Sequence, residues 1–346
     1  MIAPQNINME TSKTGAKELA ELHFHLGQSV EPHILWSIAH EQGIRLPSKD
    51  YWEFYELVTL GRKTEISWED YHELFKWTEL IQSSPIAMER SVYEVLSGAY
   101  RANNITLLEP SFNPMFRNRS GERDLDQIIL GALRGMERGL VEFPNVRAGI
   151  IFLLDRRLPI ATNEIIVNKA IKYKNRGVVG IDIAGPDSPD FRYEDYAGLY
   201  ETARSAGLKT TVHTGEDGTV EEMERVLKIL PLDRVNHGFR AYTSPSLLKK
   251  IREENLTLCL CPTSNMRVGF IKDIAHLKEI IRTLYDSGVK FCINTDNPSM
   301  LKTNLSKELE LLRKHEVLSE EEISQTVKWA FEATFIPTEQ GKNLYL

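Results

Sequence analysis

The sequence predicts an α/β fold in which eight parallel strands close into a (β/α)8 TIM barrel. The chain has 346 residues, 42% of them hydrophobic, which is enough for one large α/β core. From residue 85 onward, apolar runs of strand length alternate with segments of helical periodicity. Together with a first run near the N-terminus these give eight strand-helix units, whereas an open doubly wound sheet usually has fewer. We therefore expect a single domain over residues 1–346.

The eight expected strands are near-continuous apolar runs, as is typical of parallel strands that are buried on both faces. Helix signals recur between them, such as the cap residue Ser244 with Pro245 at the first helical position. The expected strands are 21–26, a run ending at 110, 147–154, 178–185, 207–212, 234–238, 256–262 and 290–298.

One segment, residues 47–84, departs from the alternation of strand and helix. It carries two helical patterns, the second opened by Ser67 with Asp70 three residues later, which is close to a capping box. Aromatic residues at helical spacing are usually core, so we expect a packed helical insertion, with a lid over a strand-end pocket as the alternative. Residues 301–346 are expected to form closing helices, and residues 1–15 a loosely packed lead-in. The aromatic residues of the insertion are Tyr51, Trp52, Phe54, Tyr55, Trp68, Tyr71, Phe75 and Trp77.

Charge and cysteine content exclude several classes of protein. The net charge is −7 with Lys and Arg interspersed among Asp and Glu, so no binding surface for nucleic acid or an anionic membrane is expected. Cys259, Cys261 and Cys292 lie in apolar runs and are expected to be reduced core residues. No stretch is typical of a secretory signal or a membrane span. We expect a cytoplasmic protein with a small-molecule partner, and the sequence predicts no particular oligomeric state.

Chemically active side chains recur where the expected strands end, and a barrel brings such residues to one rim. Alternate residues of a strand share a face, so the His-x-His of the first strand presents both imidazoles on one side. These two, another His and an Asp make three imidazoles and a carboxylate, a ligand set suited to zinc. A single His in a strand is more often a hydrogen-bonded core residue, but several converging strand ends favour a metal site. The residues are His23, His25, Glu109, Asp182, Gly185, His213, Glu216, His237, Ser264 and Asp296.

Residues beside this ligand set are candidates for proton transfer. Glu216 follows His213 by three residues and is expected to move a proton from water to the substrate. The alternative for Glu216 is a carboxylate that stabilises a helix N-terminus. His237 is expected to orient or deprotonate the attacking water, and Asp296 to accept a hydrogen bond from it while ligating. Glu109 and Ser264 are expected to support the ligands. Asp182 is as easily structural.

Six motifs occur between residues 21 and 298: Glu21-Leu22-His23-Phe24-His25-Leu26, Gly180-Ile181-Asp182-Ile183-Ala184-Gly185, His213-Thr214-Gly215-Glu216, Asn236-His237-Gly238, Cys261-Pro262-Thr263-Ser264-Asn265 and Asn294-Thr295-Asp296. In these motifs and their order the chain resembles the adenosine deaminase family, the purine-deaminating branch of the zinc-dependent amidohydrolases. The resemblance implies one zinc ion per chain, with the ligands His23, His25, His213 and Asp296. It also implies attack of zinc hydroxide on C6 of an adenine ring, protonation of ring N1 by Glu216 and loss of ammonia, with Gly185 contacting the purine.

Two departures from the family pattern bear on the substrate. Adenosine-specific members usually have an Asp directly after the His-x-His-Leu, whereas this chain has Gly27 and Gln28. The change removes a hydrogen bond to the ribose and opens room at the 5′ position. The second Asp of the family's Asp-Asp pair is Asn297, whose amide can donate to purine N7 without being protonated. We therefore expect an adenine nucleoside or nucleotide that is modified at the 5′ position.

The sequence leaves alternatives to this substrate open. The same metal rim suits another amino-heterocycle, such as aminofutalosine or N6-methyl-AMP, or a non-purine amide, and an inactive deaminase-like binding protein would also keep the fold. The cytidine-deaminase type is disfavoured, because neither its His-x-Glu nor its Pro-Cys-x-x-Cys pattern occurs.

Overall fold

The structure, a computed structural model, describes residues 17–61, 66–118 and 124–337. Within these ranges eight parallel strands form the predicted barrel, so the expected fold class is confirmed. The strands are β1 (Leu19–His25), β2 (Ile105–Phe112), β3 (Ile150–Asp155, preceded by Arg147–Ala148), β4 (Val178–Ala184), β5 (Lys209–Thr210 and His213–Thr214), β6 (Arg234–His237), β7 (Thr257–Leu260) and β8 (Lys290–Ile293).

The strands follow one another around the barrel in sequence order. β5 is in two short parts, the first paired with β4 and the second with β6. β8 and β1 are joined beyond the end of β8, where His25 N donates to the Asp296 carbonyl at 2.7 Å and Asp296 N donates to the His23 carbonyl at 3.1 Å. The side chain of Asn294 adds to this seam by accepting a hydrogen bond from His23 N at 3.2 Å. The carboxyl ends of all eight strands therefore lie on one rim.

The helices surround the barrel and bury an apolar face against it. In the helix Ile274–Asp286, the apolar residues Leu277, Ile280, Ile281 and Leu284 form one stripe and are all buried. The helices are α1 (Pro32–Glu41), α2 (Tyr51–Val58), α3 (Trp68–Glu73), α4 (Phe75–Ile81), α5 (Pro85–Asn103), α6 (Leu125–Glu142), α7 (Ile160–Tyr173), α8 (Ala197–Ser205), α9 (Val220–Ile229), α10 (Pro245–Glu253), α11 (Pro262–Arg267), α12 (Ile274–Asp286), α13 (Pro298–Leu301), α14 (Leu305–Lys314) and α15 (Glu320–Glu332).

Three of these helices, α2 to α4, occupy the expected insertion at residues 47–84. Its aromatic residues are not uniformly core, contrary to expectation, because Trp52 is 70% exposed while Tyr71 is buried. The helical insertion packs on the turn that follows β1, where Gln82 Nε2 donates to the Gly27 carbonyl at 2.9 Å. The insertion thus covers the end of β1, and its movement as a lid stays a prediction.

The remaining general expectations have mixed outcomes. The three cysteines are free and buried, as expected. Among residues 17–61, 66–118 and 124–337, no helix is long and apolar enough to cross a membrane. Helices α14 and α15 lie in the expected closing segment. The expected lead-in at residues 1–15 and the last residues of the chain lie outside the part that the structure describes.

Candidate active site

Four of the sequence-predicted residues converge at the rim of the barrel. His23 and His25 come from β1, His213 from the second part of β5, and Asp296 follows β8. His213 Nε2 lies 3.1 Å from His23 Nε2 and 3.3 Å from His25 Nε2. Asp296 Oδ1 lies 3.1 Å from His25 Nε2 and 3.8 Å from His23 Nε2. One ligand atom from each of the four residues lies within 4.8 Å of the others.

These distances fit a tetrahedral metal ion. Zinc binds imidazole nitrogen at about 2.0–2.1 Å, so neighbouring ligand atoms of a regular tetrahedron lie about 3.3 Å apart. The measured separations of 3.1 to 3.8 Å bracket that value. Nitrogen lone pairs this close repel one another unless a cation lies between them. The donor set therefore fits a borderline divalent ion such as zinc.

The outer nitrogens of the three imidazoles face acceptor atoms, which fixes the direction of the inner lone pairs. His213 Nδ1 lies 3.0 Å from Asp182 Oδ2. His25 Nδ1 lies 3.3 Å from Ser111 Oγ, and His23 Nδ1 lies 3.4 Å from the main-chain carbonyl of Cys259. A proton on each Nδ1 leaves Nε2 free to bind a metal. Asp182, which the sequence left as easily structural, lies directly behind a candidate ligand.

Asp296 is buried, and hydrogen bonds from neighbouring groups hold its side chain in place. Its main chain has a φ of +64°, a left-handed conformation that is uncommon for a residue with a side chain and that concentrates at functional sites. Ser264 Oγ donates to Asp296 Oδ2 at 2.5 Å, in the supporting position expected from the sequence. Burial opposes ionisation of Asp296, but the hydrogen bond from His25 and the nearby imidazoles leave its pKa well below the usual range. The carboxylate form of Asp296, the form that can bind a metal ion, is therefore favoured.

Glu216 and His237 form a second group beside Asp296, again within 4.8 Å of one another. Glu216 Oε2 lies 3.3 Å from His237 Nε2. Burial raises the pKa of Glu216 well above its usual value, and Asp296 and Asp217 raise it further. Burial also lowers the pKa of His237 to about 4, with a smaller contribution from His213. Burial thus favours the protonated carboxyl group of Glu216 and the neutral imidazole of His237.

Asn265 holds this pair in place, a role that sequence reasoning missed. Its Oδ1 faces His237 Nδ1 at 3.1 Å, and its Nδ2 donates to Glu216 Oε1 at 3.2 Å. These two partners assign the orientation of the amide and place the His237 proton on Nδ1. Asn265 closes the Cys-Pro-Thr-Ser-Asn motif directly after β7, so its position in a strand-end motif was the available signal.

Tyr71 is the other residue that the sequence did not single out. It lies in helix α3 of the insertion, and its hydroxyl donates to Asp296 Oδ2 at 3.1 Å. The same hydroxyl accepts a hydrogen bond from Asn297 Nδ2. The insertion therefore touches both the ligand Asp296 and the expected purine contact Asn297.

Gly185 lies at the end of β4 with a φ of +91°, and an added Cβ would lie 2.6 Å from Asp155 Oδ2. Its carbonyl accepts a hydrogen bond from Arg156 Nη1 at 2.9 Å. Arg156 also donates to the His213 carbonyl at 2.6 Å and to the Tyr193 hydroxyl at 2.8 Å. A buried guanidinium thus ties the expected purine contact to a candidate metal ligand.

The surroundings of Gly27 differ from expectation. The missing side chain was expected to open room at the 5′ position, but a Cβ added to Gly27 would lie 2.3 Å from Arg117 Nη2. Arg117 is buried, with 3% of its surface exposed. The guanidinium of a residue that follows β2 therefore fills the space that Gly27 leaves.

The expected role of Glu109 beside the ligands is wrong. β2 continues to Phe112, so Glu109 lies in mid-strand rather than at the rim. It forms a fully buried ion pair with Arg234 at 2.7 Å and accepts a hydrogen bond from Phe335 N at 2.6 Å. Arg234 begins β6, so this pair lies towards the amino ends of the strands. Glu109 therefore joins the segment after α15 to the barrel.

A cavity of about 400 Å³ opens onto the candidate site. Its walls include three of the four candidate ligands, the proton-transfer pair and the expected purine contacts. Cavities of 300–1,000 Å³ are usual for small-molecule sites. The lining residues that belong to the site are His25, His213, Asp296, Glu216, His237, Gly185, Asn297 and Arg117.

Comparisons with known proteins agree with this geometry. The family model for adenosine deaminase matches residues 18–345. The adenosine deaminase of Clostridium kluyveri is 30% identical over 326 residues, which are 94% of this chain and 91% of the relative. An amidohydrolase structure from Burkholderia ambifaria with bound Zn has a TM-score of 0.82 at 21% identity, covering 97% of this chain and 92% of the other. The structure of an Arabidopsis N6-mAMP deaminase has a TM-score of 0.79 at 22% identity, covering 94% and 95%. Since the family model spans nearly the whole chain, the protein belongs to the adenosine deaminase family.

Proposed function

We propose that this protein is a zinc-dependent hydrolytic deaminase of an adenine nucleoside or nucleotide, with one zinc ion held by His23, His25, His213 and Asp296. The observation that carries the proposal is the convergence of these four residues beside the buried carboxyl group of Glu216. Family membership supports hydrolytic release of ammonia from an adenine-type ring. The solved neighbour that contains zinc supports the choice of metal.

When bound, zinc lowers the pKa of a coordinated water to about 7 and so supplies a nucleophile at neutral pH. The three imidazoles and the carboxylate fix where that nucleophile stands. Asp182 and Ser111 hold His213 and His25 in the orientation that points Nε2 inward. The role of these outer residues is to keep the ligand atoms in place without contacting the substrate.

Proton transfer is assigned to Glu216, His237 and Asp296. Because its pKa is raised, Glu216 carries a proton and donates it to N1 of the adenine ring. Protonation at N1 draws electrons away from C6, which makes C6 easier to attack. Because the pKa of His237 is lowered to about 4, its imidazole is neutral and accepts the proton of the attacking water. Ionised Asp296 accepts a hydrogen bond from the same water.

The attack builds a tetrahedral C6, and the amino group takes up the second proton of the attacking water, now on the C6 oxygen, and leaves as ammonia. The charged and hydrogen-bonding groups are already in place before the reaction, so they stabilise the tetrahedral form better than the flat ring. His237 passes the proton that it took from water to Glu216, whose Oε2 lies 3.3 Å from His237 Nε2, and Glu216 is protonated again. The net reaction consumes one water and gives the 6-oxo purine and ammonia.

Recognition of the purine is assigned to Asn297 and Gly185. Asn297 is buried, and its amide nitrogen gives one hydrogen to the Tyr71 hydroxyl, which leaves the second N–H for purine N7. Gly185 has no Cβ, so the backbone at the end of β4 can approach the ring. A cytoplasmic location, expected from the cysteine content, stays a prediction.

Ammonia release tests the proposal directly. The zinc-loaded protein is assayed for ammonia with adenosine, AMP, 5′-methylthioadenosine and aminofutalosine, and for methylamine, the corresponding leaving group, with N6-methyl-AMP. We expect Glu216→Gln to lower kcat by about 10²- to 10⁴-fold, the range usual for a general acid. Glu221→Gln is the matched control, because Glu221 is exposed in the first turn of α9. Absence of ammonia and methylamine with every adenine derivative, or full activity of the Glu216 variant, contradicts the proposal, and tight binding without turnover would favour the inactive binding protein.

A further inference from the structure

Arg117 is a buried cation in the wall of the active-site cavity, beside the turn that follows the ligand His25. Its Nη2 lies 2.3 Å from the position of a Cβ on Gly27, so any side chain at position 27 would displace the guanidinium. The position of the Arg117 guanidinium therefore requires a glycine at position 27. The turn that follows His25 is thus packed against a guanidinium from the turn after β2.

The guanidinium is positioned by the loop on either side of it. Arg117 ends the short 3₁₀ turn Met115–Arg117, which follows β2. Asn113, itself buried, accepts hydrogen bonds from Met115 N at 2.8 Å and Phe116 N at 3.2 Å and so fixes the start of this turn. On the other side, Gln82 of the insertion donates a hydrogen bond to the Gly27 carbonyl and holds Gly27 in place. A cation held in this way is preorganised for a ligand group.

Two further arginines of the cavity wall hold parts of the protein in place. Arg156 binds the Gly185 and His213 carbonyls. Arg157 forms two hydrogen bonds with Asp155, at 2.8 and 2.7 Å. Lys76 on α4 is exposed and also lines the cavity, which places it on the open side. Arg117 and Lys76 thus line the cavity from two segments, the turn after β2 and the insertion.

We propose that Arg117, assisted by Lys76, binds an anionic group attached to the 5′ carbon of the nucleoside, a phosphate or a carboxylate. The inference rests on the proposed function, because C6 must lie at the zinc ligands for the sugar to extend away from them. By the resemblance to the family, Gly27 stands at the position from which adenosine-specific members contact the ribose. In this chain the space beside Gly27 holds the guanidinium of Arg117, a planar fork of hydrogen-bond donors. Such a fork matches phosphate and carboxylate oxygens in pairs.

The carboxylates Glu73 and Glu79 also line the cavity and oppose the attraction for an anion. The preference for an anionic or a neutral substrate therefore depends on which of these charges acts more strongly on the 5′ group. If Arg117 and Lys76 dominate, a substrate with a 5′ anion is preferred over plain adenosine. If the acids dominate, adenosine is preferred.

Steady-state kcat/KM decides between these outcomes, measured on adenosine, AMP, adenosine-5′-carboxylate and the neutral 5′-methylthioadenosine. Loss of a charge-assisted contact corresponds to about 10- to 100-fold. We expect at least one anionic substrate to exceed adenosine by about that factor and Arg117→Gln to abolish the advantage, with adenosine changed less than about threefold. Arg117→Lys should restore part of it, and Lys76→Ala should remove a smaller part. Preference for AMP identifies phosphate, and preference for the acid identifies carboxylate.

Two controls keep the result interpretable. Arg101→Gln removes an exposed arginine that pairs with Glu142 on α6, and should leave all four values unchanged. Equal losses on neutral and anionic substrates in Arg117→Gln, or a preference for adenosine in the wild type, would overturn the inference. If none of the four compounds is deaminated, calorimetry with inosine and IMP still decides the role of Arg117: IMP binding at least tenfold tighter, and only with Arg117 present, supports it, and equal binding of the two overturns it. The proposed function is judged separately, on the wider set of adenine derivatives.

Discussion

Asp182→Asn tests whether the orientation of one imidazole sets the affinity for the metal. Asp182 is fully buried, with Oδ2 at 3.0 Å from His213 Nδ1 and at 2.9 Å from Asn236 Nδ2. The variant keeps the shape but replaces a charged acceptor by a neutral one. A hydrogen bond to a charged group contributes about 1.5–3 kcal/mol, against about 0.5–1.5 kcal/mol for a neutral one. The expected loss is therefore about 1–2 kcal/mol, or about 5- to 30-fold in zinc affinity, near the range known for residues behind metal ligands.

The assay is competition for zinc between the metal-free protein and a chelator of known affinity, with ammonia release at saturating zinc measured in parallel. Asp195→Asn is the matched control, because Asp195 is exposed on the short turn before α8. Asp182→Asn should lower zinc affinity in the stated range while thermal unfolding of the zinc-loaded protein stays cooperative. Zinc affinity within about twofold of the wild type would refute the orienting role of Asp182.

Three further changes test other parts of the site and fold. Tyr71→Phe removes the hydroxyl that donates to the carboxylate of Asp296, so kcat/KM should fall about tenfold in steady-state assays. An unchanged kcat/KM would show that this hydroxyl of the insertion does not contribute to the reaction. Glu109→Leu leaves Arg234 charged and buried, so the free energy of unfolding in urea should fall by about 3–5 kcal/mol. Adding Arg234→Met to Glu109→Leu should recover most of that loss, and a double variant as unstable as the single one would speak against the buried ion pair as its cause.

The residues that the sequence located best are those whose position follows from strand geometry. His23 and His25 alternate on one strand, and both strand alternation and the common rim of a barrel are general rules. His213, Glu216 and Asp296 come where other strands end, so the same rules place them nearby. What the sequence could not supply is which side chains from the insertion and loops reach the same point.

Two misjudged residues show the physical limits of sequence reasoning. Tyr71 lies in an aromatic helical pattern that normally indicates core, and only the tertiary fold turns its hydroxyl towards Asp296. Glu109 was expected at the rim because Pro110 suggested the end of a strand, since proline cannot donate to a sheet. β2 instead continues through Pro110, beside an irregularity in the pairing with β1 that accommodates it. The strand end therefore moves to Phe112, and Glu109 moves into the barrel.

The central claim is that one zinc ion bound by three imidazoles and Asp296 enables deamination of an adenine ring. The most direct test adds zinc stepwise to the metal-free protein while ammonia release from adenosine and AMP is measured. Activity should rise linearly and stop at one zinc per chain, His213→Ala should lose both zinc and activity, and the exposed control His33→Ala should lose neither. Full activity in the metal-free protein, or a normal zinc content in His213→Ala, would contradict the claim.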